Sequence, residues 1–175
     1  MSRTINAFFA GFFALLLSAA ASLAYANEAT DFVDEASAKG VAEIETAKMA
    51  LEKGTAADVK EFAQMMIDDH TAANQKLQAL AQGKKWEVAS EADLMSKAKA
   101  MILKLRDGES FDQAYANNQV VAHEQTIELF RKQAQEGQDS DLKAFANETL
   151  PKLEQHLQHA KELAAAHGGD AAKKE

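Results

Sequence analysis

The sequence contains no cysteine, only one proline and eight glycines in 175 residues. The absence of cysteine excludes disulfides, thiolate catalysis and thiolate metal ligands. The scarcity of proline and glycine, beside abundant alanine, leucine, glutamate, lysine and glutamine, is typical of helices. No run of alternating apolar and polar residues predicts a strand. The composition therefore predicts an all-α protein.

The chain also lacks an excess of basic residues. It has 19 Lys and Arg against 27 Asp and Glu, a formal charge of −8. An acidic balance argues against nucleic acid and against anionic membrane surfaces as partners. The sequence shows no glycine-rich phosphate loop and no nucleophile elbow. We therefore expect neither a nucleotide nor a haem cofactor, and we assign no catalytic residue.

The first 26 residues have the pattern of a secretory signal peptide. Arg3 supplies a positive charge, and the apolar stretch from Ala7 to Ala21 is shorter than the about 20 residues of a membrane-spanning helix. Ala24-Tyr25-Ala26 matches the small-x-small pattern that precedes cleavage. We predict cleavage after Ala26 and a periplasmic or secreted bacterial protein with no membrane insertion after cleavage. An uncleaved anchor is the alternative.

The remaining chain predicts one domain of four long helices, a helix bundle at residues 27–168. Helix breakers bound long helices at about 29–53, 55–82, 110–137 and 139–168, and a shorter helix at about 90–107 lies in the connection between the second and third. Thr55 to Asp58 resembles a capping box at the start of the second long helix. Pro151 should kink the last helix without ending it, because the apolar period continues beyond it. We predict a disordered tail at residues 169–175.

Each long helix places one potential metal ligand on its apolar face. Successive residues turn by about 100° around a helix, and on this basis Glu43, His70, His123 and His156 face inward. With a rise of about 1.5 Å per residue, all four fall near the middle of helices about 40 Å long. The sequence therefore predicts a polar cluster at one level of the bundle core. Asp69 and His159, at the edges of these faces, are peripheral candidates.

Three imidazoles and a carboxylate suit one divalent transition metal such as Zn²⁺, Cu²⁺ or Fe²⁺. Our leading hypothesis is a non-enzymatic protein that binds this metal for metal handling or envelope stress tolerance. The first alternative is a structural or interaction protein in which the buried His and Glu residues only bond one another. The second is an enzyme that carries out oxygen or peroxide chemistry at an open metal position. The sequence indicates neither a protein partner nor an oligomeric state.

Four segments carry a resemblance to a known family: AEIETAKMAL, VKEFAQMMIDDHTAANQKLQALA, FDQAYANNQVVAHEQTIELF and LKAFANETLPKLEQHLQHAKELA. Their most specific parts are Asp69-His70, His123 within VAHEQ, and Pro151 followed by His156. With these features the chain resembles the exported bacterial proteins of the domain-of-unknown-function family 4142 (DUF4142), which are grouped with ferritin-like bundles. The resemblance implies a ferritin-like four-helix fold and an envelope location. It implies no activity.

The sequence departs from the di-iron pattern of catalytic ferritin-like proteins. That pattern has a Glu three residues before a His on two helices. Here Ile67, Val120 and Leu153 stand three residues before the three inward histidines. Too few inward carboxylates remain to bridge two irons, so we predict neither ferroxidase activity nor an iron core.

Overall fold

The structure, a computed structural model, describes residues 3–171, with side chains described from Glu28 onward. Within this range the chain forms five α-helices and no strand: α1 (Arg3–Lys53), α2 (Ala57–Lys84), α3 (Leu94–Lys104), α4 (Gly108–Glu136) and α5 (Ser140–Ala166). The all-α fold class and the short helix between the second and third long helices are confirmed. Pro151 lies inside α5, which continues past it.

The two ends of the chain differ from the expected boundaries. Helix α1 begins at Arg3 instead of near Ala29. Residues 1–2 of the predicted signal peptide and residues 172–175 of the predicted tail lie outside the described residues, and cleavage after Ala26 stays a prediction. The first part of the tail contacts α4, since the backbone N–H of Ala171 donates to Asn117 Oδ1 at 3.0 Å. Among the helices as described, none is long and apolar enough to cross a membrane.

Helices α1 and α2 pack as an antiparallel pair, and so do α4 and α5. The beginnings of α2 and α4 lie at the same end of the bundle, because Thr55 and Ala56 donate hydrogen bonds to Asp112. At the other end, Lys84 near the end of α2 forms an ion pair with Asp139 before α5. Helix α3 therefore returns the chain along the bundle, so that α2 and α4 run in the same direction. One such crossover is a feature of ferritin-like bundles.

The start of α2 is capped by a different residue from the one predicted. The capping box at Thr55 does not form, since Ala56 is the N-cap residue and no side chain of its own segment caps it. Asp112 of α4 takes this role: its carboxylate accepts hydrogen bonds from Thr55 Oγ1 at 2.6 Å and from the Ala56 N–H at 3.1 Å. The caps of α3 and α5 are local, with Asp93 and Asp139 accepting from the first backbone N–H groups of their helices.

The apolar core is divided into two clusters, one toward each end of the bundle. The cluster near the α1/α2 turn includes Val59, Met66 and Tyr115, and the cluster at the opposite end includes Val33, Leu77 and Leu142. Every long helix has at least one buried polar residue between the segments that supply these two clusters, or at the edge of one of them. These residues include Glu43 on α1, His70 on α2, Gln119 and His123 on α4, and His156 on α5. The bundle therefore contains a polar layer between two apolar halves.

Candidate metal centre

Three histidines from three helices meet in this polar layer. The ring centroids of His70, His123 and His156 are 5.4–5.6 Å apart, and each residue is 6% exposed or less. Each ring offers one nitrogen, and these three nitrogens all lie within 4.8 Å of one another. The histidines occupy the middle of α2, α4 and α5, where the apolar faces of the helices converge. This spacing allows three imidazoles to bind one ion.

The backbone of α4 determines the orientation and the tautomer of His123. Its Nδ1 lies 2.9 Å from the carbonyl oxygen of Gln119, one turn earlier in the helix. A carbonyl can only accept, so Nδ1 carries the proton and donates it. The lone pair is then on Nε2, which is buried and has no hydrogen-bond partner among the described residues. His123 therefore presents a metal-ligating nitrogen to the cluster.

Asp69, on the neighbouring helix α2, determines the orientation and the tautomer of His156. Its Nε2 lies 2.9 Å from Asp69 Oδ2, and the Lys152 ammonium lies 3.4 Å from the same oxygen. The Asp69 carboxylate accepts a hydrogen bond from the Nε2–H of His156, which leaves the lone pair on Nδ1. This nitrogen is buried and unpartnered within the described part of the chain. Carboxylate, imidazole and inward lone pair form the arrangement that orients histidine ligands in metal sites.

His70 completes the cluster with a third inward nitrogen. Its Nε2 is buried and has no hydrogen-bond partner in the part of the chain that the structure describes. A buried polar atom without a partner costs about 1–3 kcal/mol. Three such atoms pointing to one place are costly unless something binds all of them. A single metal ion would satisfy all three at once.

The environment of His70 and His156 favours the neutral form of these two rings. Burial, followed by the nearby His123 and His156, holds the pKa of His70 well below its ordinary value of 6.5. Burial also lowers the pKa of His156 to about 4, because it outweighs the opposing effect of the hydrogen bond that His156 donates to Asp69. Neutral imidazole is the ligand form of histidine, so little proton competition remains near neutral pH.

Glu43, the fourth predicted ligand, is buried but does not join the three histidines in the group of converging atoms. Its Oε2 accepts a hydrogen bond from Gln119 Nε2 at 2.7 Å. Burial, and secondly the charge of Glu43, raises the pKa of Tyr115 well above 10. Gln119 and Tyr115 precede His123 by one and two helical turns on the same face of α4. The polar layer therefore has a second part, Glu43, Gln119 and Tyr115, beside the histidines. A helical wheel does not separate this part from the histidine cluster.

The two peripheral candidates have different surroundings. Asp69 is 28% exposed and bonds directly to His156, so it supports the cluster from outside. His159 is exposed on α5 and is not in the group of three. It lies about 60° around the helix from His156, at the exposed edge of the buried face. The sequence feature that indicates the role of Asp69 is its position directly before the inward His70.

These features define a class of protein: a four-helix bundle with one crossover and a buried cluster of three histidines. The chain belongs to the family described as "Domain of unknown function (DUF4142)", whose model matches residues 14–163. The resemblance seen in the sequence is thereby confirmed. No curated protein and no solved structure gave a significant match. The family carries no stated activity, so function has to be argued from the site itself.

Proposed function

We propose that this protein binds one divalent transition metal ion through His70 Nε2, His123 Nε2 and His156 Nδ1. Two observations support this proposal: one nitrogen from each of the three buried rings lies within 4.8 Å of the other two, and each ring has a buried nitrogen without a hydrogen-bond partner among the described residues. In two of the three rings the other nitrogen is already engaged by an outer acceptor. A purely structural cluster of histidines would instead use both nitrogens of each ring in bonds within the protein.

The ligand set favours a borderline metal. Three neutral imidazoles suit Zn²⁺, Cu²⁺ or Fe²⁺, whereas Mg²⁺ and Ca²⁺ prefer oxygen ligands. Glu43 supplies a buried carboxylate in the same layer, and its participation as a ligand stays a prediction. Structural Zn²⁺ sites have four protein ligands, a number that Glu43 would complete here, whereas catalytic sites have three and a water molecule.

We assign the metal a role in metal handling or stress tolerance of the cell envelope, not in catalysis. The cavity beside His70, which Asn74 and Thr126 also line, has a volume of about 20 Å³. That volume holds about one water molecule and no organic substrate. Export is the prediction from the N-terminal sequence, and the enclosed site suits retention of an ion. An enzyme would need an access path for its substrate.

The direct test is metal analysis of the exported protein, purified without a His tag or chelator. We expect about one metal ion per chain, as for a single enclosed site. His70→Ala should lose the metal while its circular dichroism stays helical. His159→Ala is the matched control, because it removes an exposed histidine of α5 outside the cluster and should retain the metal.

Two results would contradict the proposal. Full metal content in His70→Ala would show that the ligands are elsewhere. Failure of the wild-type protein to bind added Zn²⁺, Cu²⁺ and Fe²⁺ would favour the structural alternative. In that case replacing His70 by Leu should be neutral or stabilising, since buried polar groups often add no net stability.

A further inference from the structure

Helix α3 exposes an apolar face. Among the described residues, every large apolar side chain that is more than half exposed lies in or directly after this helix, with exposures of 56–86%. These side chains are Leu94, Met95, Met101, Ile102 and Leu105. The helix contacts the bundle through Leu103, which is buried. Concentrated exposed apolar residues on an otherwise polar surface mark an interaction site.

The exposed apolar residues form one stripe, and basic residues border it on both sides. On a helical wheel of about 100° per residue, the five side chains and Ala98 fall within an arc of about 120°. Lys97 and Lys104 lie along one edge of this stripe, and Lys99 and Arg106 lie along the other. No acidic residue occurs between Leu94 and Arg106. A helix that lies in a membrane interface typically has this pattern, in which an apolar face of Leu, Ile and Met is bordered by Lys and Arg.

We propose that α3 docks the protein on the surface of an anionic phospholipid bilayer. The helix would lie parallel to the surface, with its apolar stripe among the upper acyl chains and its four cations at the level of the lipid phosphates. Its 11 residues are too few to cross a bilayer, so the contact is peripheral.

A second copy of the chain fits this face less well. In a two-fold dimer the same patch meets itself, so the basic edges of one α3 would come close to those of the other. Anionic headgroups, in contrast, match these edges in charge. The exposed ion pair of Lys97 with Glu91, at 2.5 Å, does not remove this complementarity, because such pairs are weak in water.

The acidic character of the whole chain does not oppose this contact. The formal charge of −8 is a sum over all residues, and charges act through salt water over only about 10 Å. The charges nearest to a membrane that contacts the apolar stripe are therefore the basic residues along its edges, whereas the acidic residues Glu91, Asp93, Asp107 and Glu109 stand in the chain just before Leu94 and just after Arg106. The whole-chain charge predicted no anionic membrane partner, and α3 is the place where the local charge differs from that average.

The test is co-sedimentation of the protein with phosphatidylcholine vesicles, with and without phosphatidylglycerol. We expect binding that requires phosphatidylglycerol and weakens as salt is added. Met101→Ser combined with Ile102→Ser should abolish it. Lys104→Gln combined with Arg106→Gln should weaken it roughly tenfold or more, from about 1 kcal/mol per basic residue. All variants have the same N-terminal segment, so any contribution of that segment to vesicle binding is the same in each of them.

Matched controls come from other helices. Val121→Ser alters an exposed apolar residue of α4, and Lys60→Gln combined with Lys132→Gln removes two exposed charges from α2 and α4. These controls should bind like the wild type. The proposal is overturned if the protein does not bind anionic vesicles at low salt, or if the serine variant binds as well as the wild type. It is also overturned if α3 variants change self-association in sedimentation velocity and leave vesicle binding unaltered.

Discussion

At the scale of single residues, the chemistry of the cluster depends on the atoms behind each imidazole. Asp69 and the Gln119 carbonyl each accept a hydrogen bond from the N–H of one ring, and this determines which nitrogen keeps the free lone pair. A free imidazole exchanges its two tautomers readily, so without these acceptors the lone pairs would not be directed to one place. Asp69 therefore acts on the site through His156, as a positioning residue.

Replacing Asp69 by Ala should weaken metal binding by about 10–100-fold, the usual effect of losing an outer acceptor of a histidine ligand. The metal stoichiometry at saturation should stay unchanged, because the three nitrogens remain. Competition titration with a chelator of known affinity measures this change. The control is Asp68→Ala, which removes the neighbouring exposed carboxylate that bonds Gln64. Equal affinities for both variants would show that Asp69 does not orient the ligand.

The low pKa of His156 predicts how the stability of the metal-free protein depends on pH. The folded pKa is about 4, whereas the ring has a pKa near 6.5 when unfolded. Between these values the unfolded chain binds a proton that the folded chain does not, so the free energy of unfolding rises with pH. The contribution of His156 to the free energy of unfolding is complete above about pH 6.5 and is lost as the pH falls toward 4. It amounts to roughly 3 kcal/mol for this one group.

Urea unfolding in the presence of chelator at pH 7 and pH 5 checks this dependence. His156→Leu should reduce the difference between the two pH values, and the exposed-site variant His159→Leu should retain it. A pH difference that is identical in wild type and His156→Leu would contradict the assignment.

The helical periodicity of the sequence predicts the inward histidines but not their hydrogen-bond partners. A helical wheel shows which residues face the core, and it correctly placed His70, His123 and His156 there. It does not show the relative rotation of neighbouring helices, which decides whether Glu43 reaches the histidines or Gln119. In the structure Glu43 bonds Gln119, and the histidines converge without it.

At the scale of helices, periodicity and breakers were sufficient to predict the number and order of the elements. The long helices and the short α3 appear in the expected order. The start of α2 was interpreted wrongly, because its cap comes from a residue far away in the sequence. Asp112 lies 57 positions after Thr55, and local sequence rules cannot detect such a partner. Its carboxylate is almost fully buried at the turn between α1 and α2.

We expect Asp112→Ala to destabilise the protein by about 2–4 kcal/mol, since it removes both a helix cap and a buried charged acceptor. Asp112→Asn keeps one oxygen acceptor and should have an intermediate effect. Asp107→Ala is the control, because Asp107 precedes α4 without a side-chain capping bond. The free energy of urea unfolding provides the comparison. A cost for Asp112→Ala no greater than that of Asp107→Ala would contradict the capping role.

At the scale of the whole molecule, the proposed metal connects three of the four long helices. Its ligands come from α2, α4 and α5, which belong to both antiparallel pairs of the bundle. The α2–α5 boundary joins the two pairs and is less extensive than the contacts within each pair. A bond through the metal across this boundary would therefore act where the packing between long helices is least extensive.

Metal binding should raise the stability of the entire bundle. An ion that binds only the folded chain adds about 2.7 kcal/mol at a free concentration 100 times its dissociation constant. Thermal unfolding of protein stripped with chelator, before and after addition of Zn²⁺, measures this gain. His70→Ala should show no gain, and His159→Ala should show the full one, because only the first removes a member of the cluster. If Zn²⁺, Cu²⁺ and Fe²⁺ all leave the unfolding temperature of the wild type unchanged, the histidines do not connect the helices through a metal. The polar layer would then stabilise the bundle through hydrogen bonds alone.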